Sequence, residues 1–149
     1  MKYFEQHYKY MDKLLTMYSE NPIDVPVFAL TVFEDKIISI QKNLKEYKND
    51  PTSHAEMEVI RETALKLNRW RLNDVTLYVT LEPCPMCAAA IIQSRLSTVV
   101  FGAYDSLYGS FGSKFDMRNI LTSDIKLIGG VREQECTNVL KTFFAEKRN

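Results

Sequence analysis

The chain has 149 residues, enough to bury one substantial core and too few for two ordinary domains, so a single domain over residues 1–149 is expected. Its 19 basic and 19 acidic residues cancel, which argues against a constitutively basic nucleic-acid binder, and no apolar run is long enough to cross a bilayer. Three cysteines without a leader-like segment fit a reducing, cytoplasmic setting better than a disulfide framework. Phe4, His7, Tyr8, Met11, Leu14, Leu15 and Tyr18 recur at helical spacing, so residues 4–19 read as an amphipathic helix ended by Asn21-Pro22, with His7 part of its structural stripe. Strands at 26–34 and 36–42, joined tightly through Glu34-Asp35, make a hairpin. A helix over 54–67, a strand over 75–81 and a helix over 84–95 follow, then strands near 97–103 and 124–129. The last helix spans 131–147, with Cys136, Val139, Leu140, Phe143 and Phe144 on one face. Helices alternating with strands imply an α/β arrangement in which helices flank one sheet.

Two segments carry chemistry. His54-Ala55-Glu56 supplies an imidazole and a carboxylate, and Pro83-Cys84-Pro85-Met86-Cys87 supplies two thiols spaced to meet one ion within a single helical turn. Pro83 or Cys84 is placed to open a helix, where free N–H groups and the helix dipole favour thiolate. His54, Cys84 and Cys87 as three protein ligands leave a fourth tetrahedral position for water, whose pKa zinc lowers towards about 7. Glu56 then stands beside that water as the proton shuttle. Each element also has a plainer reading. A lone CxxC serves structural zinc or redox chemistry, and Ser53 to Glu56 matches a capping box with Ser53 as N-cap. Cys136 is best read as core, yet it is available to close a Cys3His structural site. The conjunction of H-x-E with P-C-x-x-C matches the signature of zinc-dependent deaminases.

The match extends beyond the metal residues. The run from Asp50 to Glu56, Trp70-Arg71-Leu72, the run from Thr76 to Cys84, Ser94-Arg95, the strand from Val99 to Ala103 and the closing Phe143-Phe144 resemble the bacterial tRNA-specific adenosine deaminases. The resemblance covers roughly residues 22–147 and implies a three-layer α/β/α cytidine-deaminase-like fold with a mixed five-stranded sheet. It further implies one zinc per chain, a tRNA anticodon stem-loop as partner, a homodimer, and hydrolysis of the wobble adenosine to inosine with Glu56 as both acid and base. By the same matching, Asn43 contacts the flipped purine, and Val25, Pro26, Ala55 and Leu81 line its pocket. Asp105 lies near the RNA beside Gly109 and Gly112, and Phe144 packs on the anticodon loop or stays in the core. Of the local basic clusters, the tail group Lys141, Lys147 and Arg148 is favoured for RNA over Lys66, Arg69 and Arg71.

Several positions depart from the family. Phe28 stands where glycine is usual, Tyr104 replaces a polar or charged residue, and the connection from Phe115 to Ile125 is short and lacks an Asn-His pair. Pro85-Met86 is similar to the equivalent pair in guanine deaminases. The alternatives are therefore a free-base or nucleoside deaminase, for instance of guanine, and a noncatalytic zinc-stabilised RNA-binding or partner subunit using Cys136 as fourth ligand or Glu56 only as a cap.

Overall fold

A computed structural model of the chain describes the backbone of residues 2–147 and the side chains of residues 4–147. Helix α1 spans Lys2–Leu15 and stops short of the expected residue 19. The Thr16 hydroxyl donates to the Lys13 carbonyl at 2.6 Å, and Met17 N–H turns instead to Leu14, so the α-helical ladder ends in a tighter turn. Its buried stripe is His7, Tyr10, Met11 and Leu14; Phe4 and Tyr8, expected on that stripe, are exposed. Strands β1 (Phe28–Phe33) and β2 (Lys36–Lys42) form the expected hairpin. Its connecting Glu34 and Asp35 take φ of 51° and 62°, the left-handed pair whose twist matches that of the strands.

A short helix α2 (Lys45–Lys48), not legible in the pattern, precedes α3 (Ala55–Leu67). Strand β3 (Thr76–Leu81) leads into α4 (Pro85–Gln93), and β4 (Thr98–Ala103) follows. The second unanticipated element is α5 (Met117–Ile120), started by the Asp116 carboxylate accepting from Arg118 N–H. Strand β5 (Lys126–Ile128) and helix α6 (Glu133–Lys147) complete the described chain.

The five strands lie in the order β2-β1-β3-β4-β5. β1 runs antiparallel to both β2 and β3, whereas β3, β4 and β5 are mutually parallel, which makes the sheet mixed as expected. Strand alternation divides the core between two faces. Ala29, Leu77, Val79, Val99 and Phe101 meet Ala55, Val59, Ala88 and Ile91 from α3 and α4. Leu30, Tyr78 and Val100 meet Tyr10, Met11, Leu14 and Cys136 from α1 and α6. Three layers result. Phe28 is buried on the α1 side, with its N–H bonded to the Thr80 hydroxyl at 3.1 Å. Among the described residues, no helix is long and apolar enough to cross a membrane.

Parallel β3 and β4 require a crossover, and α4 supplies it. This connection places the N-terminus of α4 at the end of β3, beside the N-terminus of α3.

Candidate active site

The end of β3 delivers Leu81-Glu82-Pro83-Cys84, and Cys84 becomes the N-cap of α4 with Pro85 in its first turn. The ring of Pro85 suits that position, because the missing N–H had no helical partner to lose. His54 holds the same post on α3, with φ −70° and ψ 156°. The capping box is therefore corrected. Ser53 lies one residue ahead of the cap, and the extended backbone at His54 turns its imidazole towards the thiols.

His54 Nδ1 stands 3.6 Å from Cys84 Sγ and 3.5 Å from Cys87 Sγ. Ligand bonds of about 2.0 Å to nitrogen and 2.3 Å to sulfur in a tetrahedral zinc site put N and S about 3.5 Å apart, so the trio fits that ion. The donor atoms all lie within 4.8 Å of one another. Cys136 is outside the group: it is buried on the opposite face of the sheet with α1 and α6, and a Cβ on Gly102 would fall 2.3 Å from its sulfur. A closed Cys3His site is thereby ruled out, and burial pushes the Cys136 thiol up to about 12.

Electrostatics at the trio follow from packing. The Cys87 thiol donates towards Cys84 and, with the His54 ring, holds Cys84 well below the usual thiol range. The same bond and burial raise Cys87, and the bond with Cys84 raises His54. Glu56, in the first turn of α3, is 4 % exposed, and burial pushes its carboxyl up to about 7. A carboxyl poised there can take or give a proton near neutral pH.

These residues share a cleft of about 430 Å³ whose lining includes Val25, Asn43, Ala55, Leu81 and Asp105 beside His54, Glu56 and Cys84. The Asn43 amide is held on both sides, donating to the Val25 carbonyl at 3.3 Å and accepting from Lys45 N–H at 3.1 Å. It is at once a turn former and a wall of the cleft. Asp105 accepts from Leu107 N–H and Tyr108 N–H through one oxygen, so part of its capacity is spent on its own loop. Pro26 lines an adjoining groove of about 520 Å³, with Phe28 and Tyr47, and not the cleft itself. Phe144 is outside both cavities, 46 % exposed and edge-on to Phe143 at 5.2 Å.

Sequence reasoning missed Val27, Lys45, Glu82 and Tyr108 as lining residues. Glu82 carried a signal, being a carboxylate that ends an apolar strand just ahead of a thiol pair. The first basic cluster is occupied locally: Lys66 pairs with Glu62 at 2.7 Å, Arg69 bonds the Asn73 carbonyl and Arg71 stacks on Trp70. In the second, Lys147 lies over the Phe143 ring, and Arg148 falls outside the described residues.

A family model described as MafB19-like deaminase matches residues 5–148. The tRNA-specific adenosine deaminase of Bacillus subtilis (strain 168) is 42 % identical over 135 residues, 87 % of this chain and 82 % of that protein. A solved structure from work on A-to-I editing by tRNA:A34 deaminases at the wobble position superposes with a TM-score of 0.71 at 35 % identity, covering 78 % of this chain and 86 % of that one. The guanine deaminase of Bacillus subtilis superposes with a TM-score of 0.62 at 32 % identity, covering 80 % and 74 %. Donors arranged for a metal around an open position, with a buried carboxyl able to carry protons, define a metal-dependent deaminase with the cytidine-deaminase-like fold. Within that class, the chain belongs to the tRNA-specific adenosine deaminases.

Proposed function

We propose that this protein hydrolyses adenosine to inosine at the wobble position of a tRNA anticodon, with one zinc per chain held by His54, Cys84 and Cys87. Zinc, when bound there, supplies Lewis acidity that makes water nucleophilic at neutral pH. Glu56 takes a proton from the attacking water and delivers it to the ring nitrogen beside C6. It then passes the second proton to the departing amine. The C6–N bond breaks, ammonia leaves and the C6 carbonyl of inosine remains, so one buried carboxyl serves both directions. Asn43 and the N–H of Ala55, at the start of α3, hold the edges of the purine, while Val25 and Leu81 flank its faces.

The observation that supports the substrate, beyond kinship, is that a second groove adjoins the cleft and shares two of its lining residues. Val25 and Asn43 line both cavities, so a nucleotide in the cleft has room for its neighbours along Pro26 and Tyr47. A free base needs no such extension. Phe144, and the exposed Leu107, Tyr108, Phe115, Ile120 and Leu121 between β4 and β5, supply apolar surface for the anticodon loop and for a second copy of the chain in a homodimer. Free thiols at Cys84, Cys87 and Cys136 suit a cytoplasmic enzyme.

The test is inosine formation in an anticodon stem-loop bearing a wobble adenosine, comparing the zinc-loaded protein with Glu56→Ala. Conversion that falls by about 10²–10⁴-fold in the variant is expected. Conversion of free guanine with none of the RNA would move the protein to the guanine deaminases instead.

A further inference from the structure

Two buried carboxylates face the cleft, and the chemistry uses one. Glu82 is 2 % exposed and lies between the end of β3 and the Cys84 half-site. Its oxygens accept from Asp105 N–H, Phe111 N–H and Ser113 N–H, each at 3.1 Å, and from the Ser113 hydroxyl. A carboxylate has about four lone-pair sites, so Glu82 is saturated. All four donors come from the single loop that follows β4. Ser110 N–H adds a fifth tie to the Pro83 carbonyl at 2.9 Å.

The loop can close over this carboxylate only because residue 109 is glycine. A Cβ at Gly109 would fall 2.5 Å from the Glu82 carboxyl and 2.3 Å from the Asp105 carbonyl oxygen. The same loop carries Asp105 and Tyr108, which form one wall of the cleft. In the adjoining groove, Asp24 ties α2 in an analogous way by accepting from Glu46 N–H and Tyr47 N–H.

We infer that Glu82 is a positioning residue for substrate: it fixes the Asp105–Tyr108 wall relative to the Cys84 end of the metal site and so sets where the target nucleotide sits. It carries no proton in the reaction, because its lone pairs are occupied by the loop. This inference rests on the RNA reading above for its kinetic consequence, but not for its structural one.

The experiment uses the zinc-loaded full chain and compares wild type, Glu82→Gln and Ser113→Ala. In Glu82→Gln an amide NH2 meets backbone N–H groups, and loss of hydrogen bonds to a charged group predicts a KM for the stem-loop raised about tenfold or more, with kcat changed less than about threefold. Zinc stays at one per chain. Hydrogen exchange at the amides of Asp105, Phe111 and Ser113 accelerates, while that of β3 and β4 does not. Ser113→Ala removes one donor without touching the charge, and gives a smaller change of the same kind if Glu82→Gln does not fold. Wild-type KM together with unchanged loop exchange overturns the inference, and so does a fall in kcat at constant KM, which would make Glu82 part of the chemistry. If wild type leaves the stem-loop unconverted, the RNA reading fails while loop exchange still decides the role of Glu82.

Discussion

His54 and Cys84 occupy the same position, the N-cap, on two different helices packed against one face of the sheet, and this equivalence brings Nδ1 and Sγ to 3.6 Å. Neither side chain caps its helix through a hydrogen bond. Two N-cap positions are here spent on side chains that face one another, as a shared metal would require.

Metal removal therefore exposes a graded set of thiols. In chelator-treated native protein, Cys84, half-buried, reacts first with iodoacetamide, followed by the buried Cys87. Cys136 remains unmodified until the chain unfolds, because burial keeps its thiol protonated up to about 12, so raising the pH from 7 to 9 leaves its labelling unchanged. Zinc protects Cys84 and Cys87. Mass spectrometry of alkylated peptides checks the order, and early labelling of Cys136 would contradict it.

On the opposite face, Gly102 and Cys136 are locked together. Gly102→Ala drives a methyl to 2.3 Å from the Cys136 sulfur and 2.9 Å from the Thr80 carbonyl oxygen. Overpacking of this kind costs about 1–3 kcal/mol. The penalty shrinks but does not vanish in a Cys136→Ala background, since the Thr80 carbonyl stays. A double-mutant cycle by urea denaturation measures the coupling, and additive effects would show that the two residues act independently.

Thr31 on β1 and Thr63 on α3 share a buried hydroxyl–hydroxyl bond of 2.7 Å. Thr63→Val leaves one hydroxyl unsatisfied at a cost of about 1–3 kcal/mol, whereas replacing both by valine is near neutral. Chemical denaturation of the three variants tests this, and a double variant no more stable than the single would place the loss in packing.

The Arg118 side chain holds the Asp116 carboxyl below its ordinary range. A depressed carboxyl contributes stability that is complete above its unfolded value of about 3.9 and disappears as pH falls through the lower folded value. Asn at this position still caps α5 but loses the ion pair. The stability gap between wild type and Asp116→Asn is therefore small, under about 1 kcal/mol for a partly exposed pair, and closes below pH 4. A gap that widens on acidification would reverse the assignment.

What the sequence determined by itself was local. The Cys84–Cys87 spacing, the His54–Glu56 pair and the alternation of helix and strand are short-range patterns, and the metal trio, α3, α4 and the mixed sheet follow from them with family kinship. Tertiary structure decided what depends on partners far along the chain. Glu82 acquires its role from donors at Asp105, Phe111 and Ser113, α2 is held by Asp24, and Asn43 by the Val25 carbonyl. Lys45 and Tyr108 reach the cleft because their segments close over the strand ends, and Phe144 does not, because α6 packs on the other face of the sheet from α3 and α4. Ser53 loses the cap to His54 for the same reason: the metal site needs the imidazole at the helix mouth, and a helix start can shift by one residue at little cost. A carboxylate's hydrogen bonds and a wall's position are properties of the folded loop, and no periodicity along the chain encodes them.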